Sequence, residues 1–245
     1  MGRGSKRLEL MKIIYRISDT GYNKVKPEYI DNENCLKNAV EVFKDAEWIV
    51  IADNTSKETD TMIRKYVKMP EVKHVSIINV NVGHGAGTFN LALDEALKFE
   101  DDEIVYFIEN DYLHKLEGKK ILEEGFDLGA SFVSLYDHPD KYLDPSNGGN
   151  PYCKGGAEDT RVYLSKSTHW KITNSTTMTF ASKVKSLKRV EKVLRKHTIG
   201  SHPNDFSMFL ELREQNELLI TSIPGYSTHG ETAWLSPLTK WNEYA

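Results

Sequence analysis

The triplet Glu109-Asn110-Asp111 sets two carboxylates at i and i+2, directly after the apolar run 104–108. Carboxylate oxygens are hard ligands suited to Mg2+ or Mn2+. A cation held there could bridge a diphosphate and neutralise a phosphate leaving group. Acidic residues after a strand also make ordinary turns, so the triplet gains weight only from its company. Polar clusters end three earlier apolar runs in the same way: Arg16, Ser18 and Asp19; Asp53 and Asn54; Asn81 and Gly83. The glycines Gly83, Gly85 and Gly87 precede a helical stretch, but GHGAG is not GxGxxG and follows the third strand rather than the first. A tight turn at a helix start and a loop running beside a bound nucleotide both fit it.

These residues need elements to position them. Residues 12–17 (KIIYRI), 48–52 (WIVIA), 72–80 and 104–108 (IVYFI) are short β-branched and aromatic runs that predict strands. Between them, residues 31–43, 59–66 and 88–99 carry apolar side chains at helical spacing, Leu36, Ala39, Val40 and Phe43 among them. Strands alternating with helices predict βαβ units: an α/β domain with a mostly parallel central sheet flanked by helices. Ligands bind such sheets beyond the carboxyl ends of the strands, so the polar clusters are expected to converge on one edge. Further on, residues 130–136, 161–164 and 175–180 predict strands, and 183–197 and 205–217 predict helices. Residues 137–157 are rich in Gly, Pro, Asn and Asp and lack periodicity, which reads as a mobile segment that orders around a ligand. The pattern breaks near residue 137 without a linker, giving one domain in two halves, residues 11–136 and 137–245.

Composition narrows the class. A chain of 245 residues, 39% apolar and 28% charged, can bury a substantial single core. A net charge of −4 opposes a role in coating nucleic acid, so no nucleic-acid partner is expected. Cys35 and Cys153 lie far apart without CxxC spacing, which disfavours a disulfide framework and a structural zinc site. No apolar run reaches the roughly 18 residues of a transmembrane helix, and a reducing, cytoplasmic location is the expectation. The opening MGRGSKRLEL is basic, with no apolar signal core after it. MGRGS has the look of a non-native leader, with Met11 as the natural start, and residues 1–10 are set aside from fold reasoning.

Taken in order, the strand ends resemble those of GT-A fold (Rossmann-like) glycosyltransferases, close in style to family 2. In that family an opening strand and a second strand ending in Asp frame the nucleotide base, matched here by Arg16-Ile17-Ser18 and Asp53-Asn54. An Asn-x-Gly segment before a helix is matched by Asn81-Val82-Gly83. The strand ending in a DxD-like metal motif is matched by Phe107-Ile108-Glu109-Asn110-Asp111, with Glu in place of the first Asp. The resemblance runs from about residue 12 to 136 and then rests on two short motifs. It implies that Arg16, Ser18, Asp53, Asn54, Asn81, Gly83 and Asn110 contact the donor, and that Asp111 and Glu109 hold Mn2+ or Mg2+.

The first later motif is His202-Pro203-Asn204-Asp205 at a helix start. The resemblance implies that Asp205 is the base that deprotonates an acceptor hydroxyl in an inverting reaction. An acid stabilised in a first helical turn is the plainer role, and the helix dipole is expected to keep it ionised. The second motif is Thr228-His229-Gly230, where a late His would complete the metal or diphosphate site; an ordinary loop His is the alternative. Asp137 and His138 follow the 130–136 strand, where such enzymes contact donor sugar and acceptor, although a polar turn fits equally. Ser175, Thr176 and Thr177 could bond sugar hydroxyls or phosphate, a strand edge being the commoner role. Trp170 and Trp234 could stack on sugars, core positions being commoner. The basic face of 183–197 could meet anionic lipid headgroups, giving a peripheral membrane contact, or be a solvated helix face.

The function implied is metal-dependent transfer of a sugar from a UDP- or GDP-sugar to a glycan or other hydroxyl acceptor. The first half would bind the nucleotide sugar and the second the acceptor. A catalytically inactive nucleotide- or glycan-binding module is the alternative. A sugar-phosphate nucleotidyltransferase fits less well, because SDTGYNKVKP has one glycine where those enzymes carry a glycine- and arginine-rich loop.

Overall fold

The computed structural model describes residues 11–20, 24–70, 72 and 74–245. Residues 1–10, read as a leader, lie outside the described residues, as does Gly21 of the first turn. The elements are β1 (Lys12–Ser18), α1 (Asn32–Val42), β2 (Glu47–Asp53), α2 (Lys57–Val67), β3 (His74–Val80), α3 (Gly85–Ala96) and β4 (Ile104–Glu109). Then come β5 (Tyr112–His114), α4 (Gly118–Asp127), β6 (Phe132–Ser134), β7 (Cys153–Lys154), β8 (Ala157–Glu158), β9 (Val162–Leu164) and β10 (His169–Thr173). The chain ends through β11 (Phe180–Lys183), α5 (Val184–Lys196), α6 (Asp205–Glu214), β12 (Leu219–Ile223) and β13 (Ser227–His229).

Nine strands form one sheet in the order β3-β2-β1-β4-β11-β6-β12-β10-β9. β1 pairs in parallel with β2 and β4, β2 with β3, and β6 with β12; β11 and β10 run against their neighbours. Seven of the nine strands therefore point the same way, a mostly parallel sheet with helices on both faces. β1 and β2 are covered on both sides, which is why they read as continuous apolar runs rather than alternating ones. Tyr15, Trp48 and Val50 face α1, α2 and α4 through Leu36, Phe43, Ile63 and Phe126. Ile14, Ile51 and Phe107 face α3, α5 and α6 through Phe89, Leu93, Leu187 and Phe209. Trp170 is fully buried in the first of these layers, so its role is core packing.

One sequence expectation is corrected. Residues 175–180 are not one strand: β11 starts only at Phe180, and 174–179 form a tight turn. Residues 137–142, at the start of the 137–157 segment, carry buried polar anchors. Asp137 pairs with Lys171 at 3.0 Å and accepts from the Tyr142 hydroxyl at 2.7 Å. Lys171 also lies 3.5 Å from Glu158, and Lys141, 1% exposed, donates to Asn174 and Ser175. Breaking a buried ion pair of this kind costs roughly 3–5 kcal/mol, so the start of the segment is held to β10 and the turn after it.

The basic face of α5 is charge-compensated. Lys185, Lys188, Arg189, Arg195 and Lys196 pair with Asp102, Asp101, Glu217, Asp94 and Glu211. Among the described residues no helix is long and apolar enough to cross a membrane.

Candidate active site

The carboxyl ends of β1, β2 and β4 open into a cleft of about 1040 Å³. Its floor is made by side chains that tie those ends together. Arg16, 4% exposed, donates to the carbonyls of Gly85 (3.2 Å) and Met178 (3.0 Å) and pairs with Glu109 at 3.2 Å. Asn110 donates to the Ser18 carbonyl at 3.2 Å and to Asn32. Asp19 accepts from the Ser56 N–H at 2.7 Å and the Thr59 hydroxyl at 2.8 Å. Burial would raise its pKa, but these donors hold it below the usual range.

Asp53 closes β2 and builds the next wall. Its two oxygens accept the N–H groups of Val82 (2.6 Å) and Gly83 (2.9 Å), so it shapes the loop that enters α3. Gly83 sits at φ +79°, a conformation that L side chains rarely adopt. Asp53 thus spends its carboxylate on the backbone, and Asp53→Ala is expected to lower stability by about 1–3 kcal/mol by orphaning those donors. Urea unfolding checks this; a variant as stable as wild type would return Asp53 to a ligand contact alone.

Asp111 lies just before β5, and β5 pairs with β13 so that Tyr112 stands opposite His229. That register brings Asp111 and His229 together: His229 Nε2 is 3.4 Å from Asp111 Oδ2. Lys24 Nζ lies 3.0 Å from the same oxygen and Lys26 Nζ 3.4 Å. Burial alone would raise the Asp111 pKa, but His229, Lys24 and Lys26 override it and hold the carboxyl well below its usual range. Gly230 is required by close approach: a Cβ there would lie 2.3 Å from Ile30 Cγ2 and 2.8 Å from the Asp111 carbonyl. Gly230→Ala is expected to push Ile30 or Asp111 aside and to lower stability by about 1–3 kcal/mol. Wild-type stability of that variant in urea unfolding would contradict the packing argument.

Asp111 and His229 are the side chains of this corner that could hold a divalent cation. Asp111 Oδ1 is buried without a hydrogen-bond partner among the described residues, while Oδ2 and His229 Nε2 converge on a cation, the Lys24 ammonium. Glu109, expected as a second carboxylate ligand, is directed to Arg16 instead. Among the described residues no group of three His, Cys, Asp or Glu side chains is arranged to hold a metal. Two protein ligands are fewer than a divalent cation takes, so an ion there would need further oxygen donors.

Across the cleft, Asp205 opens α6 after Asn204, whose side chain caps the helix on the Ser207 N–H. Burial raises the Asp205 pKa, only partly offset by the charge of His138 and by the N–H groups of Phe206 and Thr177. Desolvation therefore outweighs the helix start in setting the direction of the shift. Thr177 has φ +53°, an uncommon conformation for a β-branched residue that turns its N–H toward Asp205. Its hydroxyl meets that of Tyr112. His138 also lines the cleft, its ring tilted against Trp234 (ring centroids 5.3 Å) and 2.9 Å from Asp140.

Of the residues singled out in the sequence, Arg16, Ser18, Asp53, Gly83, Glu109, Asn110, Asp111, His138, Asp205, His229 and Trp234 line this one cleft. Asn54, Asn81, Asp137 and Thr176 do not. Asn54 sits at φ +53° and bonds Asp53, Asn81 faces solvent, and Asp137 and Thr176 are buried beneath the surface. Thr177, from the hydroxyl run singled out in the sequence, also lines the cleft. Sequence reasoning missed Lys24 and Lys26, for which the available signal was the Lys-x-Lys spacing after β1.

No protein-family model matches the sequence, and no curated protein sequence matches it. Solved structures do resemble it. They include the mannosyltransferase PcManGT from Pyrobaculum calidifontis in complex with GDP-Man and Mn2+ (TM-score 0.51, 12% identity, 86% of this chain and 54% of that one). GalNAc-T7 with UDP, GalNAc and Mn2+ superposes at TM-score 0.58 and 11% identity, over 94% of this chain and 46% of that one. Residues 1–349 of S. aureus TarS give 0.53 and 12%, over 89% and 59%. The chain has the GT-A fold. It spans about half the length of these GT-A structures, 46% to 59%.

Proposed function

We propose that the cleft binds a nucleoside-diphosphate sugar and transfers its glycosyl group to an acceptor hydroxyl with inversion. The observation that carries this reading is the convergence of two unlike groups on one cleft. Asp111 and His229 form a cation-holding pair at one wall, and Asp205, a carboxyl with a raised pKa, stands at another.

In this reading the acceptor oxygen attacks the anomeric carbon while the Asp205 carboxylate takes its proton. The bond from the anomeric carbon to the diphosphate oxygen breaks as the new bond forms, and the diphosphate leaves with the electron pair. The sugar passes through oxocarbenium character, as in other glycosyl chemistry. Mn2+ or Mg2+ held by Asp111 and His229 would supply positive charge to the departing diphosphate. Lys24 and Lys26 add two cations at the same wall. Ser18 and Asn110 face the nucleotide side, and Arg16 holds Glu109 and the Gly85 carbonyl in place rather than meeting ligand itself. His138 and Trp234 stand at the acceptor end, where an aromatic face suits a sugar ring.

Nucleoside-diphosphate release from a panel of UDP- and GDP-sugars with Mn2+, with and without hydroxyl acceptors, tests the reading. One donor is expected to be turned over, faster with acceptor. Tight nucleotide binding without release from any donor would make the chain a binding module, and absence of binding would overturn the donor site.

A further inference from the structure

The diphosphate wall of the cleft already holds a cation, and that cation belongs to the protein. Lys24 Nζ lies 3.0 Å from Asp111 Oδ2 and 2.9 Å from His229 Nε2, with its side chain only 13% exposed. Lys26 reaches the same carboxylate oxygen at 3.4 Å. The chain between them is laced to the far side of β13: the Val25 carbonyl accepts the Thr232 N–H at 2.8 Å. The two lysines therefore come to Asp111 on a backbone tied to Thr232, just beyond His229 at the end of β13.

The acceptors cannot serve two cations at once. A neutral imidazole has a single lone pair, on whichever nitrogen lacks the proton. In the tautomer with its proton on Nδ1, His229 Nε2 accepts from the Lys24 ammonium, and that lone pair is then unavailable to a metal ion. Asp111 Oδ2 is likewise shared between two ammonium groups, whose charge opposes the approach of a dication. Resting on the function proposed above, we infer that Lys24 and a divalent cation compete for the Asp111–His229 pair, and that donor binding moves the displaced ammonium onto the diphosphate. Lys24 is then a resident counter-ion: it compensates Asp111 in the donor-free protein and becomes a donor-positioning group once metal and nucleotide arrive.

The two halves of the inference require shifts of opposite sign from one substitution. Lys24→Met keeps the apolar stem and removes the charge. It is expected to bind Mn2+ alone about tenfold or more tightly than wild type, measured by electron paramagnetic resonance of free Mn2+. At saturating Mn2+ it is expected to bind UDP and GDP about tenfold more weakly. Lys24→Arg, which keeps the charge, should stay near wild type in both. Unchanged or weaker Mn2+ binding in folded Lys24→Met, or no Mn2+ binding by either protein, would overturn the competition.

A measurement on the unaltered protein guards against misfolding of the variant. Acetylation of Lys24 by an amine-reactive ester, followed by mass spectrometry, is expected to speed up when Mn2+ is added and to slow again with UDP or GDP. A rate indifferent to Mn2+ would contradict the exchange. Failure of the nucleotide arm alone counts against the donor reading, and failure of the Mn2+ arm alone counts against the role of Lys24.

Discussion

Asp111→Asn is expected to lower Mn2+-dependent affinity for UDP or GDP by about 10²-fold or more, since metal-site partners one step further out already contribute 10–100-fold. Asn keeps the shape of the side chain but gives up the charge that holds a cation with His229. The same change affects stability. Asp111 is 4% exposed and is paired with Lys24 and Lys26, so its loss leaves two ammonium groups without their carboxylate. Its folded pKa is depressed, burial being outweighed by His229 and the lysines. The stabilisation is therefore complete above the unfolded-state value of about 3.9 and is lost as pH falls below that toward the folded value. Urea unfolding at neutral and acid pH should show a gap between wild type and Asp111→Asn at pH 7 that narrows on acidification. Isothermal titration with and without Mn2+ checks the affinity; unchanged metal-dependent binding in the folded variant would remove Asp111 from the site.

Asp205→Asn carries the largest expected effect on rate. It preserves size and the contacts with the Phe206 and Thr177 N–H groups but cannot accept a proton. A general base typically contributes about 10²–10⁴-fold, so kcat should fall by that order with donor affinity near wild type. Desolvation raises the carboxyl pKa, despite the opposing charge of His138 and the two N–H donors. The acid limb of the kcat profile should accordingly lie above the ordinary aspartate value of about 3.9, with activity lost as pH falls through the raised pKa and the base becomes protonated. The product should carry inverted anomeric configuration. Near wild-type turnover in Asp205→Asn, or a retained configuration, would make Asp205 a helix-start residue and require a different base.

Much of this was legible in the sequence, for a definite reason. β1, β2 and β4 are buried on both faces, so their residues form unbroken apolar runs. A parallel sheet forces their polar ends, Ser18, Asp53 and Glu109, onto one edge. The partners within that edge were not legible. Arg16 looks like a ligand contact but is spent on Glu109 and two carbonyls, because a buried guanidinium needs acceptors wherever the fold offers them. Asp53 likewise serves the loop at Gly83, a contact set by β2–β3 geometry rather than by local pattern. β5 and β13 are three residues each, and Ser227-Thr228-His229 has no apolar signal, yet their pairing places His229 beside Asp111. The run Ser175-Thr176-Thr177 reads as a strand from its β-branched residues, but tertiary contacts bend it into the turn that presents Thr177 to Asp205. Lys24 and Lys26 had only a two-residue spacing to mark them, and their significance comes from the carboxylate 87 residues away along the chain from Lys24.

The most direct test is a crystal structure with UDP or GDP and Mn2+, with the ion located by its anomalous scattering. The manganese peak is expected between Asp111 and His229, in contact with the diphosphate, with the Lys24 ammonium moved onto a phosphate oxygen and the terminal β-phosphate on the side of the cleft that Asp205 lines. Nucleotide bound outside the cleft, or a diphosphate turned away from Asp111 and His229, would contradict the assignment of this edge of the sheet as a glycosyl-donor site.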